Sequence, residues 1–216
     1  ELLAYWLEGS RELGKFELAL RSYARFAPFV PDSPRLRCAL GNVLLDVFRL
    51  DEAVAEFRAA QALEPASVDA QVGLAAALAE RGEAAAAVAE LRQLLARDPS
   101  QLRAHAHLVY LLPFVPATSA EDVLAEATRF EQRYTRDVPR FSLYAPRAAR
   151  LRIGYFSPDF RQHPLACFVP ELLEHPDRSR VEVFCYSSVA RPDSVTAEIL
   201  ALVPYLVDPS AGNRMD

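Results

Sequence analysis

The sequence has no run of about 18 consecutive apolar residues, the length that a membrane-spanning helix requires. Its amino end also lacks the basic stretch followed by an apolar core that marks a secretory signal. A membrane partner is therefore not expected, and the cytoplasm is the default location. Charge of one sign is missing as well: 24 Lys and Arg against 29 Asp and Glu leave a net charge of -5. These charges are interspersed, with no basic stripe to follow a phosphate backbone, so nucleic acid is not expected as a partner. Cysteine is scarce. Cys38, Cys167 and Cys185 are odd in number, far apart and each set in an apolar stretch, which suits buried, reduced thiols better than a disulfide framework. There is no H-E-x-x-H, no G-x-G-x-x-G and no phosphate-loop signature. His105 and His107 are two apart on a helical stretch and point away from each other, so no metal site is expected there, and His175 reads as a surface cap.

What the sequence has is a repeat. A shift of 34 residues places Ala19, Ala53 and Ala87 in one column and Pro31, Pro65 and Pro99 in another. Trp6, Leu40, Leu74 and Leu108 also align, as do Tyr23, Phe57 and Leu91; Phe26, Ala60 and Leu94; and Gly14, Phe48 and Gly82. Each unit reads as two amphipathic helices, for example Pro34 to Phe48 and Asp51 to Leu63, closed by a proline that cannot continue a helix. The small alanines let two helices approach, and Tyr23 or Phe57 fills the space one turn later. These columns resemble the tetratricopeptide consensus, through Leu40-Gly41, Leu44, Ala53, Phe57, Ala60 and Pro65, and again through Leu74, Leu78, Gly82, Ala87 and Pro99. One unit cannot bury its own apolar face, so neighbours must stack into a solenoid with a groove for a protein or peptide. Residues 1–100 are assigned to these repeats.

The fourth unit begins with Leu108 and Leu112, is broken by Pro113 and Pro116, and resumes as a helix from about Ser119 to Tyr134. Ser119 with Asp122 is a helix-start signal. Residues 101–150 are therefore read as a degenerate repeat, a capping and transition helix, and a linker from Arg136 to Arg150.

After residue 150 the period changes. Leu151 to Phe156 is a short β-type run, Ser157-Pro158-Asp159 a turn, and Pro164 to Glu174 a helix-compatible segment. A second β run, Val181 to Tyr186, is followed by a helical stretch from Pro192 to Val203, and Tyr205-Leu206-Val207 opens a third. This order predicts a parallel α/β sheet, whose ligands bind at the carboxyl ends of the strands. The candidate site is thus the loop Ser157 to His163 together with the loop Ser187 to Asp193. His163 precedes Pro164 at an expected helix start, where the positive end of the helix dipole would keep the imidazole neutral and able to accept a proton or a hydrogen bond.

The stretch LRIGYFSPDFRQHPLACFVPELLEHPDRSRVEVFCY, Leu151 to Tyr186, resembles the opening of the catalytic region of protein O-GlcNAc transferases, of bacterial type. The motif S-P-D-F-x-x-H-P is present as Ser157 to Pro164, and residues 119–150 are similar to that family's linker helix. The resemblance implies a mainly α chain: a tetratricopeptide α-solenoid followed, over residues 151–216, by the beginning of a Rossmann-like α/β lobe of GT-B type. It also implies transfer of N-acetylglucosamine from UDP-GlcNAc to Ser or Thr of proteins, with no metal and no further cofactor, the repeats recognising the acceptor protein.

Carried over by motif, His163 is the candidate catalytic residue and faces sugar and acceptor, while Asp159 and Pro164 shape the loop that meets substrate. Ala211-Gly212-Asn213-Arg214 resembles a later family segment near the catalytic centre, which makes Arg214 a candidate substrate contact. The family's Gly-His pair before it is replaced by Asp208-Pro209-Ser210. The family's asparagine ladder along the groove is not reproduced either, since Ala39 and Gly73 occupy its positions. The second lobe that would hold the nucleotide sugar is not present in these 216 residues. The chain also opens on Glu1 within a helical pattern and is expected to be a piece of a longer polypeptide, an enzyme whose donor sugar these 216 residues alone are not expected to turn over. The alternative is a non-enzymatic tetratricopeptide interaction scaffold.

Overall fold

The computed structural model describes residues 1–135, 150–189 and 192–203, and the backbone of 205–207. The chain forms two compact units divided between residues 139 and 140. Apart from Arg150, the expected linker lies outside the described residues, as do residues 208–210 and Arg214.

The first unit is a run of antiparallel helix pairs: α1 (Leu2–Glu12) with α2 (Phe16–Phe26), α3 (Pro34–Asp46) with α4 (Leu50–Leu63), α5 (Val68–Glu80) with α6 (Ala84–Arg97), and α7 (Leu102–Leu111) followed by α8 (Ala120–Tyr134). The repeat columns decide what is buried. Ala19, Ala53 and Ala87 are wholly enclosed, and so are Phe57 and Leu91 one turn on. Burying a side chain such as Phe57 contributes about 1.5–3 kcal/mol. The ring of Phe57 lies between two glycines. A Cβ added at Gly41 would come 2.9 Å from it, and one added at Gly73 only 2.2 Å.

The first unit of the array is degenerate in the positions its sequence marks. Leu40, Leu74 and Leu108 are buried, whereas Trp6 in the same column is 52% exposed, its Nε1 donating to Ser22 Oγ at 3.0 Å. Arg11 on α1 pairs with Asp46 on α3 at 2.7 Å, and Arg35 on α3 pairs with Glu8 on α1 at 2.8 Å.

The turn inside each pair repeats as closely as the core does. Gly14, Phe48 and Gly82 all have positive φ, at 69°, 59° and 87°. Each donates its N–H to the carbonyl three residues back, and the following residue donates to the carbonyl five back, as in Phe48 to Leu45 and Arg49 to Leu44. This is the Schellman ending of a helix, which favours glycine at its left-handed position. Phe48 holds that conformation with a bulky side chain, at a cost of about 1–2 kcal/mol.

Helix starts follow local chemistry. Ser33 and Ser67, again 34 apart, cap α3 and α5, and Ser119 forms a capping box with Asp122 at the start of α8. Pro113 converts the end of the fourth unit into a 3-10 turn, Leu112–Phe114. α8 buries no residue of its own fully. It is fastened instead through His105, which is 5% exposed. His105 Nε2 lies 2.8 Å from Glu126, whose other oxygen pairs with Arg129 at 2.6 Å. The Tyr134 hydroxyl and an Arg133 N–H both donate to the Pro99 carbonyl. His105 carried no signal of this role in the sequence, because its partner lies 21 residues away.

The second unit is a three-stranded parallel sheet in the order β1 (Leu151–Ser157), β2 (Val181–Ser187), β3 (Tyr205–Val207). Leu151 pairs with Val181 and Ser157 with Ser187, so β1 and β2 end level at their carboxyl ends. One face of the sheet, with Val183 and Cys185, packs on Phe160, Leu173 and Ile199 to form a small core. Three sequence expectations need correction here. Pro164 to Glu174 is not one helix but a 3-10 turn, Pro164–Cys167, followed by α9, Val169–Glu174. Pro170 in the first turn of α9 lacks an N–H and disfavours helical backbone before it, so the two pieces cannot fuse. Cys38 and Cys185 are buried, but Cys167 is exposed on that 3-10 turn. α10 is Ser194–Ala201, shorter at both ends than the expected helical stretch.

Candidate functional site

The level ends of β1 and β2 bring the two predicted loops together. Ser188 N–H donates to the Ser157 carbonyl at 3.2 Å, extending the strand pairing into the loops. Ser157 is buried, and its Oγ accepts from Asp159 N–H at 3.0 Å. The half-buried Asp159 turns its own carboxylate to Arg161 at 3.3 Å. Between them Phe160 is 2% exposed and anchors the loop in the core. The S-P-D-F sequence thus builds a turn pinned at its fourth residue, and Arg161, Gln162, His163 and Pro164 project beyond it into solvent.

His163 sits at the start of the 3-10 turn with extended backbone, followed by Pro164 at the first turn position. Its Nδ1 accepts from Leu165 N–H at 3.3 Å. Two consequences follow. The turn has four residues, so the helix dipole invoked from the sequence has no full helix to arise from. Nδ1 is already engaged as an acceptor, so the neutral imidazole carries its proton on Nε2. In this arrangement the acceptor nitrogen that the sequence suggested is taken up by the chain's own backbone, and Nε2 is the nitrogen left to solvent.

Asp193 is the residue that sequence reasoning undervalued. One of its carboxylate oxygens caps α10, accepting from Thr196 N–H at 2.9 Å. The other accepts from Gln162 N–H at 2.7 Å, one residue before His163. These backbone bonds, that of Gln162 first, hold its carboxyl below the ordinary value. A single side chain therefore ties the loop after β2 to the loop after β1. The signal available in sequence was the helix cap alone. On the buried side of β2, burial pushes the Cys185 thiol up, which suits a packing role and not a nucleophile. Among the described residues no group of His, Cys, Asp and Glu is arranged to hold a metal ion. No described helix is long and apolar enough to cross a membrane.

In the repeat unit the positions equivalent to the asparagine ladder are closed. Ala39 is buried, and the space beside Gly73 is taken by Phe57. An asparagine at 73 would have to displace that ring.

Comparison with known proteins agrees with both halves. Residues 44–109 match a tetratricopeptide repeat family model, and residues 133–210 match the model for glycosyl transferase family 41. A point mutant of the Thermobaculum terrenum O-GlcNAc transferase superposes with a TM-score of 0.80 at 26% identity, over 96% of this chain and 40% of that one. A Caenorhabditis elegans UDP-N-acetylglucosamine–peptide N-acetylglucosaminyltransferase is 55% identical over 38 residues, which are 18% of this chain and 3% of that protein. MamA protein shares the fold over 65% of this chain and 77% of its own, with a TM-score of 0.55 at 17% identity. The chain thus spans less than half the length of the transferases it resembles.

Proposed function

We propose, for a chain in which tetratricopeptide repeats lead into a glycosyl transferase family 41 segment, that it is part of an O-GlcNAc-transferase-like enzyme. In this reading N-acetylglucosamine passes from UDP-GlcNAc to a Ser or Thr hydroxyl of an acceptor protein held by the repeats. The observation that carries the proposal is the order of the two parts in one chain, matched over 96% of its length by a solved O-GlcNAc transferase.

The chemistry asked of the second unit is modest and fits its geometry. Glycosyl transfer develops negative charge on the leaving diphosphate and on the sugar's departing oxygen, and fixed donors aimed there lower the barrier. In this reading His163, with Nδ1 engaged by Leu165 and held by a loop anchored at Phe160 and Asp193, faces the sugar and the acceptor, and the leaving diphosphate is met by the further lobe. Pro164 fixes the backbone directly after it, and Asp159 shapes the loop before it. Arg214 is retained as a substrate contact by motif. A further Rossmann-like lobe of GT-B type would supply the nucleotide-sugar pocket.

The test is transfer of labelled GlcNAc from UDP-GlcNAc to protein acceptors by the complete protein, with and without His163→Ala. Removing a group so positioned should lower kcat by about 100-fold or more with a smaller change in KM. Unchanged kcat would remove His163 from the mechanism. Absence of any transfer to any protein would leave the interaction-scaffold reading in its place.

A further inference from the structure

Within the repeat unit, the carboxyl ends of α3, α5 and α7 open onto a groove of about 540 Å³ whose floor is apolar, formed by Leu45, Ala76, Ala79 and Leu111. That volume is in the range of sites that enclose a large side chain and its neighbours. Two aromatic side chains stand at its edge in water: Phe48, 73% exposed, and Tyr110, 68% exposed.

Phe48 is the residue that neither folding nor turning explains. The same Schellman turn is made by Gly14 and Gly82 with the same hydrogen bonds and positive φ. Phe48 takes the left-handed strain and then buries little of its ring. A strained bulky residue that contributes so little packing marks a contact made with something else.

The charge at the groove fixes what that something carries. Asp46 is neutralised by Arg11 at 2.7 Å. Glu80 is exposed and has no ion pair among the described residues. His107, the one group of the lining that could carry positive charge, is held below its ordinary value, by burial first and by Arg103 second, so it adds no positive charge at neutral pH. The groove is apolar with one uncompensated carboxylate on its rim.

We propose that this groove takes a segment of a partner protein in which a large apolar side chain stands next to a lysine or arginine. The apolar side chain packs against Phe48 and Tyr110, and the cation meets Glu80. This rests on, and narrows, the reading of the repeats as the acceptor-recognition part.

The test is equilibrium binding of short fluorescein-labelled glycine-serine peptides, bearing Phe-Lys, Ala-Lys or Phe-Glu at their centre, to the full chain. The Phe-Lys peptide should bind at least about tenfold more tightly than the other two. Phe48→Gly should reduce that affinity about tenfold while raising Tm by a few degrees, because glycine relieves the turn. Loss of folding therefore cannot account for loss of binding. Glu80→Gln should abolish the preference for Phe-Lys over Phe-Glu. Equal binding by wild type and Phe48→Gly, or no discrimination among the three peptides, overturns the proposal. So does a concentration-dependent dimer that Phe48→Gly dissolves, since the occupant would then be a second copy. No sugar transfer enters the measurement, so its failure leaves the glycosyltransferase reading standing, and failure of transfer leaves this one.

Discussion

In the repeat unit a given contact is made several times over, whereas in the α/β unit each contact is made once. Ala19, Ala53 and Ala87 are enclosed in successive helix pairs in the same way, and Gly14, Phe48 and Gly82 end the first helix of successive pairs with the same pair of hydrogen bonds. In the α/β unit the loop bearing His163 depends on one anchor, Phe160, and one carboxylate, Asp193. A repeated contact can degrade in one copy, as the exposed Trp6 and the strained Phe48 do, without loss of the architecture. A contact made once leaves no such margin, which is the usual condition of a site that must hold a particular geometry.

The largest effect should therefore come from the single anchor. Phe160→Ala removes an almost wholly buried ring from the small core it shares with Leu173, Val183 and Ile199. A change of this kind costs about 3–5 kcal/mol. Hydrogen exchange at the β2 amides should accelerate accordingly. Fluorescence of Trp6, the one tryptophan of the chain, reports on the repeat unit and should keep its denaturation midpoint. If that midpoint fell with Phe160→Ala, the two regions would share a cooperative core and the contrast between them would fail.

Gly73→Ala makes the converse prediction at somewhat smaller size. The added methyl would stand 2.2 Å from a ring carbon of Phe57, which is itself fully enclosed and cannot swing aside cheaply. Overpacking of this kind costs about 1–3 kcal/mol. The Trp6 transition should move to lower denaturant while exchange at β2 stays as in the wild type. A neutral result would mean that neighbouring repeats slide apart more easily than the close packing of α3, α4 and α5 implies.

The same contrast explains what could be read without coordinates. The columns at 34-residue spacing disclosed the repeats and the turn position that Phe48 shares with two glycines, because repetition turns three-dimensional contacts into a one-dimensional pattern. The three strands and their shared carboxyl ends were legible from the change of period at Leu151. Contacts made once, between residues far apart, were not: His105 meets Glu126 across 21 residues, and Gln162 meets Asp193 across 31. Local chemistry also misled where a neighbour decided the outcome. Cys167 lies in an apolar stretch yet is exposed, at the end of the 3-10 turn that precedes α9. His163 reads as a free base beside a helix, yet its Nδ1 is already engaged by Leu165.

The smallest effect, and the sharpest test of the loop geometry, belongs to Asp193. Its carboxylate is stabilised in the folded chain by the Gln162 and Thr196 amides, so its folded pKa lies below the ordinary 3.8. The linkage has a definite sign. A depressed carboxyl pKa adds stability that is fully present above 3.8 and is lost as pH falls through the folded value. Because the side chain is exposed, global stability should hardly move. The amide of Gln162 should nevertheless shift and lose exchange protection in that acidic window, together with that of Thr196. Asp193→Asn keeps the shape and one acceptor but no charge, so both amides should become insensitive to pH while α10 persists. Gln162 should exchange faster than in the wild type at neutral pH. If Gln162 followed the wild-type profile in Asp193→Asn, the two loops would be held by the strand pairing at Ser157 and Ser188 alone, and the α/β site would have a second, redundant support of the kind that otherwise distinguishes the repeats.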